Sequence, residues 1–208
     1  MSRLLHISAS PRGRAAESLR IARVFTDAYA GVHPNADVEH WDLWDGSLPG
    51  FAVGARAKMT VFGGGEPVGA EAAAWAAARV AFERFDAADR LLFSVPMWNG
   101  SVPYVLKQFI DVVSQPGWVF GVDPAAGYTH LLAGRGKRVA VVYTSAVWGP
   151  ALGPEFGTDF QGTYFGDWLR WVGLTDVTEI RFHPTLLGDV PAERAGTDSL
   201  ARDVAKSF

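Results

Sequence analysis

Short apolar segments and amphipathic helical segments alternate along this chain, and the alternation restricts its fold more than any other feature. Five apolar runs predict strands, at residues 3–7, 38–43, 90–95, 137–143 and 177–182. Hydrophobic residues at helical spacing predict helices over residues 19–30, 70–85, 102–113, 160–172 and 192–205. Strands that alternate with helices are typical of a parallel sheet, because a parallel connection needs a long crossover.

The predicted fold class is α/β, a flavodoxin-like three-layer sandwich with a five-stranded parallel sheet of order 2-1-3-4-5 and helices on both faces. Residues 115–136 are too many for a simple connection. Their aromatic stretches around a Gly-Pro-rich tip predict a hairpin inserted before strand four. Residues 45–68 are interpreted as irregular, with at most a short helix at 51–62. Because no repeat or linker divides the chain, we expect a single domain over residues 1–208.

Composition excludes several classes of function. The 208 residues include no cysteine, which excludes disulfides, thiolate metal sites and cysteine catalysis. The histidines are scattered, so no metal site is predicted. A net charge of -3 without a basic stripe argues against a nucleic-acid partner, and no run approaches the roughly 20 apolar residues of a membrane span. The opening MSRLLHISAS lacks a long apolar segment, so we expect a cytoplasmic protein without a signal peptide.

The loop after the first strand, SASPRGRAAES at residues 8–18, has the features of an anion site. It leads into a helix N-terminus, where backbone N–H groups and the helix dipole favour negative charge. Ser10 and Ser18 add hydroxyls, and Arg12 and Arg14 add positive charge. The ordinary alternative is a helix start capped by Ser18 or Glu17. Neither a Walker loop nor a GxGxxG pattern is present, which favours a mononucleotide over a dinucleotide.

Two further loops leave strands three and four at the same sheet edge. Residues 96–100 read PMWNG, and residues 144–149 read TSAVWG. Asparagine supplies an amide, glycine permits a close backbone approach, and methionine and tryptophan supply apolar walls. Alone, PMWNG is better interpreted as an ordinary turn with a partly buried tryptophan. Together, the three loops suit a flat ring system with a phosphate tail.

Over essentially its whole length the chain resembles the FMN-dependent NADH-azoreductases, also described as NADH:quinone oxidoreductases, of the flavodoxin-like superfamily. The similar segments are LLHISASPRG, SVPMWNGSVPYVLKQFIDVV, GWVFGV, LLAGRGKRVAVVYTS and DFQ…WLRWVGLTDV. The resemblance implies a homodimer with two FMN sites at the subunit interface, a small aromatic acceptor and NADH or NADPH as electron donor.

Site residues follow from the same resemblance, position by position. The residues implied for the FMN phosphate are Ser10, Ala16, Glu17 and Ser18. Those implied for the flavin ring are Pro96, Met97, Trp98, Asn99, Gly100, Ser145, Ala146, Val147, Trp148 and Gly149. Those implied near the substrate are Phe120, Trp148 and Trp171. No catalytic side chain is assigned, because the cofactor carries the chemistry.

The chain departs from the family pattern at two places. Ala16 stands where a small polar residue is usual, and Ala146-Val147-Trp148 replaces the usual Arg-Gly-Gly. Because β-branched Val147 adopts positive φ only with strain, the loop is expected to follow a different path. We hypothesise that Trp148 narrows or re-lines the substrate face.

The favoured function is two-step hydride transfer, from NAD(P)H to flavin N5 and then to a quinone, azo compound or related electron-poor aromatic. One alternative is a specialised flavin enzyme of aromatic-metabolite biosynthesis, whose pocket would use several tryptophans. The candidates are Trp98, Trp118, Trp148, Trp168 and Trp171. A flavodoxin-type electron carrier is the other alternative, but such carriers tend to be strongly acidic and this chain has a net charge of only -3.

Overall fold

The computed structural model describes residues 2–208 and contains seven strands and six α-helices in this part of the chain. The strands are β1 (Arg3–Ser8), β2 (Asp37–Asp42), β3 (Arg90–Pro96), β4 (Phe120–Asp123), β5 (Gly127–His130), β6 (Arg138–Thr144) and β7 (Val177–Phe182). The helices are α1 (Glu17–Val32), α2 (Ala52–Phe62), α3 (Ala70–Asp86), α4 (Tyr104–Val113), α5 (Phe160–Val172) and α6 (Val190–Ser207).

The main sheet is parallel throughout and has the order β2-β1-β3-β6-β7. Strands β4 and β5 form a separate antiparallel pair, so β6 and β7 are the fourth and fifth strands of the parallel sheet. The order of the parallel strands is therefore the predicted 2-1-3-4-5, which confirms the fold class. The predicted hairpin before the fourth parallel strand is also confirmed, with Phe120 opposite His130 at its base. In β3 and β6 the apolar run is nearly continuous because helices bury both faces.

Alternate residues of the strands point to two separate cores. Leu5 and Ile7 face the core that includes residues of α3, α4 and α5, where Phe109 packs edge-on against Trp41 and Phe85. Leu4 faces the other core, which α1 and α6 close by packing against each other. Each connection from one parallel strand to the next in sequence therefore crosses one face of the sheet. All of these connections begin at the carboxyl edge of the sheet.

The structure refines two of the predicted helices. The possible short helix at 51–62 is confirmed as α2, which occupies eleven of the 24 residues of segment 45–68 and buries Gly54 and Ala57 against α3. Small residues carry this contact, so its apolar periodicity is weak in the sequence. The last helix begins at Val190, two residues before the predicted start, because the Asp189 carboxylate accepts a hydrogen bond from Ala192 N.

One buried histidine lies on the α1 side of the sheet. The Nε2 atom of His6 lies 2.7 Å from Ser94 Oγ on the neighbouring strand β3. Burial, with smaller contributions from His40 and Arg23, lowers the pKa of His6 from 6.5 to about 3. The native protein therefore holds this imidazole neutral at pH values where the unfolded chain protonates it.

Acid should consequently destabilise the protein through His6. As pH falls below 6.5, the unfolded state takes up a proton that the native state refuses, so the free energy of unfolding falls until pH reaches the native pKa of about 3. Between pH 7 and pH 5 the loss from this group is about 2 kcal/mol. Urea unfolding of wild type and His6→Gln at both pH values measures it. An equal pH dependence in the two proteins would contradict a neutral buried His6.

Candidate functional site

The loops after β1, β3 and β6 meet at the carboxyl edge of the sheet and are joined by backbone hydrogen bonds. Ala9 N donates to Ser94 O over 3.0 Å, and Met97 N donates to Thr144 O over 2.7 Å. The loop after β7 joins them, because Thr185 N donates to Ser145 O over 2.8 Å. The three predicted loops therefore converge, and a fourth loop completes the edge.

A small cavity of about 120 Å³ lies where α1 begins, and we call it the serine cavity. It is lined by Ser10, Arg12, Ala16, Glu17, Ser18, Pro96, Met97, Trp98, Thr144, Ser145, Ala146 and Thr185. All four residues predicted for a phosphate are thus in one place, together with the ends of both other loops.

The first turn of α1 has unused hydrogen-bond donors. Ala16 occupies the N-cap position, and no side chain caps the helix. The alternative in which Ser18 or Glu17 caps it is therefore wrong. Ser18 is 1% exposed, and its Oγ atom has no hydrogen-bond partner. Because a buried hydroxyl without a partner costs stability, its position in the wall of a cavity indicates a polar ligand.

The charge of Glu17 does not oppose an anion here. Its carboxylate accepts hydrogen bonds from Arg20 Nε and Arg194 Nη2. The two loop arginines separate: Arg12 lines the serine cavity, whereas Arg14 lines a different cavity on the other side of the loop. Among the described residues, Arg12 is therefore the one cation that lines the serine cavity.

A larger cavity of about 590 Å³ lies beside the serine cavity, and we call it the tryptophan cavity. It is lined by Met97, Asn99, Gly100, Ser145, Ala146, Val147, Trp148, Phe156, Gly157, Thr158 and Phe160. Met97, Ser145 and Ala146 line both cavities, so the two are contiguous. A polar end thus continues into a wide space with aromatic walls.

The Asn-Gly pair forms a tight turn between these walls. Asn99 has φ 49° and Gly100 has φ 81°, and Trp98 and Ser101 exchange two backbone hydrogen bonds across them. Positive φ at two central residues is what a type I′ turn requires, and Asn-Gly is its preferred sequence. Trp98 packs against Trp44, whose Nε1 donates to Ala9 O, so this turn is held against the first loop.

Trp148 borders the tryptophan cavity from the third loop, with its ring edge-on against His183 at 4.9 Å between centroids. Residues 146–148 reach this position without positive φ. A Cβ atom at Gly149 would lie 2.8 Å from Pro184 Cδ, so glycine permits the close approach of the loop after β7. The aromatic side chain is therefore held at the edge of the cavity by its neighbours.

Several residues at the site were not predicted. Gln161 is fully buried, and its Nε2 atom donates to Val95 O over 2.7 Å and to Thr144 O over 3.4 Å, joining β3 and β6 where they separate. Thr185 and residues 156–158 were also missed. The position of the loop after β7 at the carboxyl edge was an available signal for Thr185, whereas the contacts of Gln161 depend on tertiary structure.

Phe120 and Trp171 do not reach either cavity within the chain. They pack against each other, with ring centroids 4.9 Å apart, and Phe120 is only 3% exposed. Phe160 at the start of α5 lines the tryptophan cavity, but Trp171 lies eleven residues further along this helix, about 16 Å away at 1.5 Å per residue.

Over residues 2–208, no cluster of three or more His, Asp or Glu side chains is arranged to hold a metal ion. None of the helices in this range has the length and apolar character needed to cross a membrane.

The sheet order and the converging loops define a flavodoxin-like protein, and comparison with known proteins agrees. The family model described as "Flavodoxin-like fold" matches residues 2–206. An FMN-dependent NADH:quinone oxidoreductase of Ruegeria pomeroyi is 44% identical over 95% of this chain and 96% of its own length. One from Nitratidesulfovibrio vulgaris is 38% identical over the whole of both chains. An azoreductase structure from Bacillus anthracis has a TM-score of 0.88 at 24% identity and covers both chains completely.

The chain therefore belongs to the FMN-dependent NADH:quinone oxidoreductases of the flavodoxin-like fold family, and the predicted family membership is confirmed.

Proposed function

We propose that this chain is an FMN-dependent NAD(P)H oxidoreductase that uses NADH to reduce quinones, azo compounds or related electron-poor aromatics. The observation that carries the proposal is the pair of contiguous cavities, one with unused donors at a helix N-terminus and one with aromatic walls. The relatives at 44% and 38% identity bear the name of this activity. Nothing at the site favours the biosynthetic or electron-carrier alternatives over it.

The serine cavity fits the phosphate of FMN. The uncapped first turn of α1, the orphaned Ser18 hydroxyl and the Arg12 guanidinium all favour an oxyanion. We assign Ser10, Arg12 and residues 16–18 to the phosphate. Residues 96–100 and 145–149 would hold the ring, because they line the adjoining walls.

When bound, FMN supplies the hydride chemistry that side chains cannot perform. The residues of this chain bind and orient the reactants and keep water away from them. The described residues that line the tryptophan cavity include no Asp, Glu, His, Lys or Arg. General acid–base catalysis by a side chain is therefore not part of the proposal. We propose instead that the aromatic walls determine which acceptors the enzyme selects.

We also propose that the chain acts as a single FMN-binding domain in a cytoplasmic homodimer with the two sites at the subunit interface. Tyr104 and Phe160 are 64% and 60% exposed beside the candidate site, as expected for residues that a second subunit covers. Phe120 and Trp171 line neither cavity of their own chain, so we propose that they serve the partner's substrate face. A monomer in sedimentation that still reduces quinones would contradict this arrangement.

The function can be tested through the visible spectrum of the bound flavin. Purified protein should bind FMN and become yellow, lose its visible absorbance when NADH is added without oxygen, and recover it when 1,4-benzoquinone follows. A protein that binds FMN but does not respond to NADH would instead support an electron carrier. A protein that binds no FMN would overturn the assignment of both cavities.

The role of Ser18 can be separated from folding by a matched pair of variants. Ser18→Ala removes an unpartnered hydroxyl, so the stability of the apoprotein should not fall, but FMN should bind about tenfold or more weakly because a hydrogen bond to a charged group is lost. Ser114 Oγ accepts a hydrogen bond from Trp168 Nε1, so Ser114→Ala should lower stability and leave FMN affinity unchanged. FMN titration and urea unfolding measure both effects. Unchanged FMN affinity in Ser18→Ala would reject Ser18 as a phosphate ligand.

Trp148 should influence the choice of acceptor more than the binding of FMN. Aromatic stacking is worth about 0.5–1.5 kcal/mol beyond burial, or roughly 2- to 13-fold in rate. Trp148→Ala should therefore change the ranking of kcat/KM among quinones and azo compounds of different width at saturating NADH. If every acceptor changes by one common factor, Trp148 is not a selectivity element.

A further inference from the structure

A third cavity, of about 340 Å³, lies outside the proposed flavin site between α1 and the edge strand β2, and we call it the edge cavity. It is lined by His6, Ser8, Gly13, Arg14, Leu19, Arg23, Thr26, Val38, Glu39, His40 and Asp42. It shares no lining residue with the serine or tryptophan cavities. It exists because α1 and α6 cover the other strands on this face and leave the β2 side chains Val38 and His40 exposed.

The charges around the edge cavity favour an anion. Glu39 is already neutralised by Arg3 and Arg84, which lie 2.6 Å from its two carboxylate oxygens. Arg14 and Arg23 have no salt bridge within residues 2–208. Asp42 is the one lining carboxylate without a cationic partner among the described residues, so two free guanidinium groups face one free carboxylate.

The edge cavity also contains buried polar groups with unused hydrogen-bonding capacity. Ser8 is 1% exposed, and its Oγ atom has no hydrogen-bond partner. His6 uses Nε2 to contact Ser94 Oγ, so Nδ1 is its remaining polar atom. Leu19 and Val38 add apolar wall to the same cavity. Pockets with apolar walls and a few convergent polar groups are typical of small-molecule sites.

We infer that the edge cavity binds a small organic carboxylate. Its carboxylate would lie between Arg14 and Arg23, its carbon body against Leu19 and Val38, and any second polar group would reach Ser8. Apolar walls favour an organic anion over inorganic phosphate. This site does not depend on the proposed function, because a ligand here contacts none of the residues assigned to the flavin.

Calorimetric titration of the FMN-saturated protein with benzoate, hexanoate, benzamide and inorganic phosphate tests the inference. At least one of the two carboxylates should bind saturably without changing the visible flavin spectrum, and benzamide and phosphate should bind at least tenfold more weakly. Failure of both carboxylates to bind would overturn the site. Phosphate that binds as tightly as the carboxylates would also overturn it, because it would indicate a simple anion site.

Variants locate the binding. Arg23→Gln should weaken carboxylate binding about tenfold or more, because it removes a charge-assisted hydrogen bond, whereas Arg202→Gln on the exposed surface of α6 should leave it unchanged. Ser8→Ala should weaken binding of a hydroxylated probe, salicylate, more than that of benzoate, without loss of stability. Binding that persists equally in Arg23→Gln, or that perturbs the flavin spectrum, would place the ligand elsewhere and overturn the inference.

Discussion

The start of α1 is the constraint on which this end of the molecule depends. Strand β1 lies between β2 and β3, and all three are parallel, so the connections that begin at their carboxyl ends leave toward opposite sides of the sheet. The first N–H groups of a helix have no partner within it, and here no side chain caps them. Topology thus places unsatisfied donors at the switch point, where open α/β sheets bind their ligands.

The other loops are arranged around these donors by contacts that hold backbone rather than ligand. Gln161 joins Val95 O and Thr144 O, and Met97 N shares the second of these acceptors. The Asn99-Gly100 turn then projects from a fixed base. Because these groups are already bonded within the chain, the cavity walls have their shape before any cofactor arrives, which lowers the ordering cost of binding.

How much could be predicted from the sequence follows from the range of the interactions involved. Strand and helix identity, the hairpin and the sheet order depend on local periodicity and connection length, and these predictions were confirmed. Convergence of the three loops followed from topology. Helix α2 was predicted only as a possible short helix at 51–62, because small residues carry its packing. The alternative in which Ser18 caps α1 was wrong because the N-cap is Ala16, two residues earlier, and the Ser18 hydroxyl instead faces the serine cavity. Whether Phe120 and Trp171 contact a substrate depends on a second subunit, which no pattern within one chain specifies.

The loop at residues 8–18 separates two cavities of different character. Ser10, Arg12 and Ser18 line the serine cavity, whereas Ser8 and Arg14 line the edge cavity. Between them, Ser94 Oγ lies 2.7 Å from His6 Nε2 and 3.4 Å from the backbone oxygen of Ser18. Ser94 therefore contacts one lining residue of each cavity, His6 of the edge cavity and Ser18 of the serine cavity. One short segment, placed by the order of the strands, sets the polar surface of both sites.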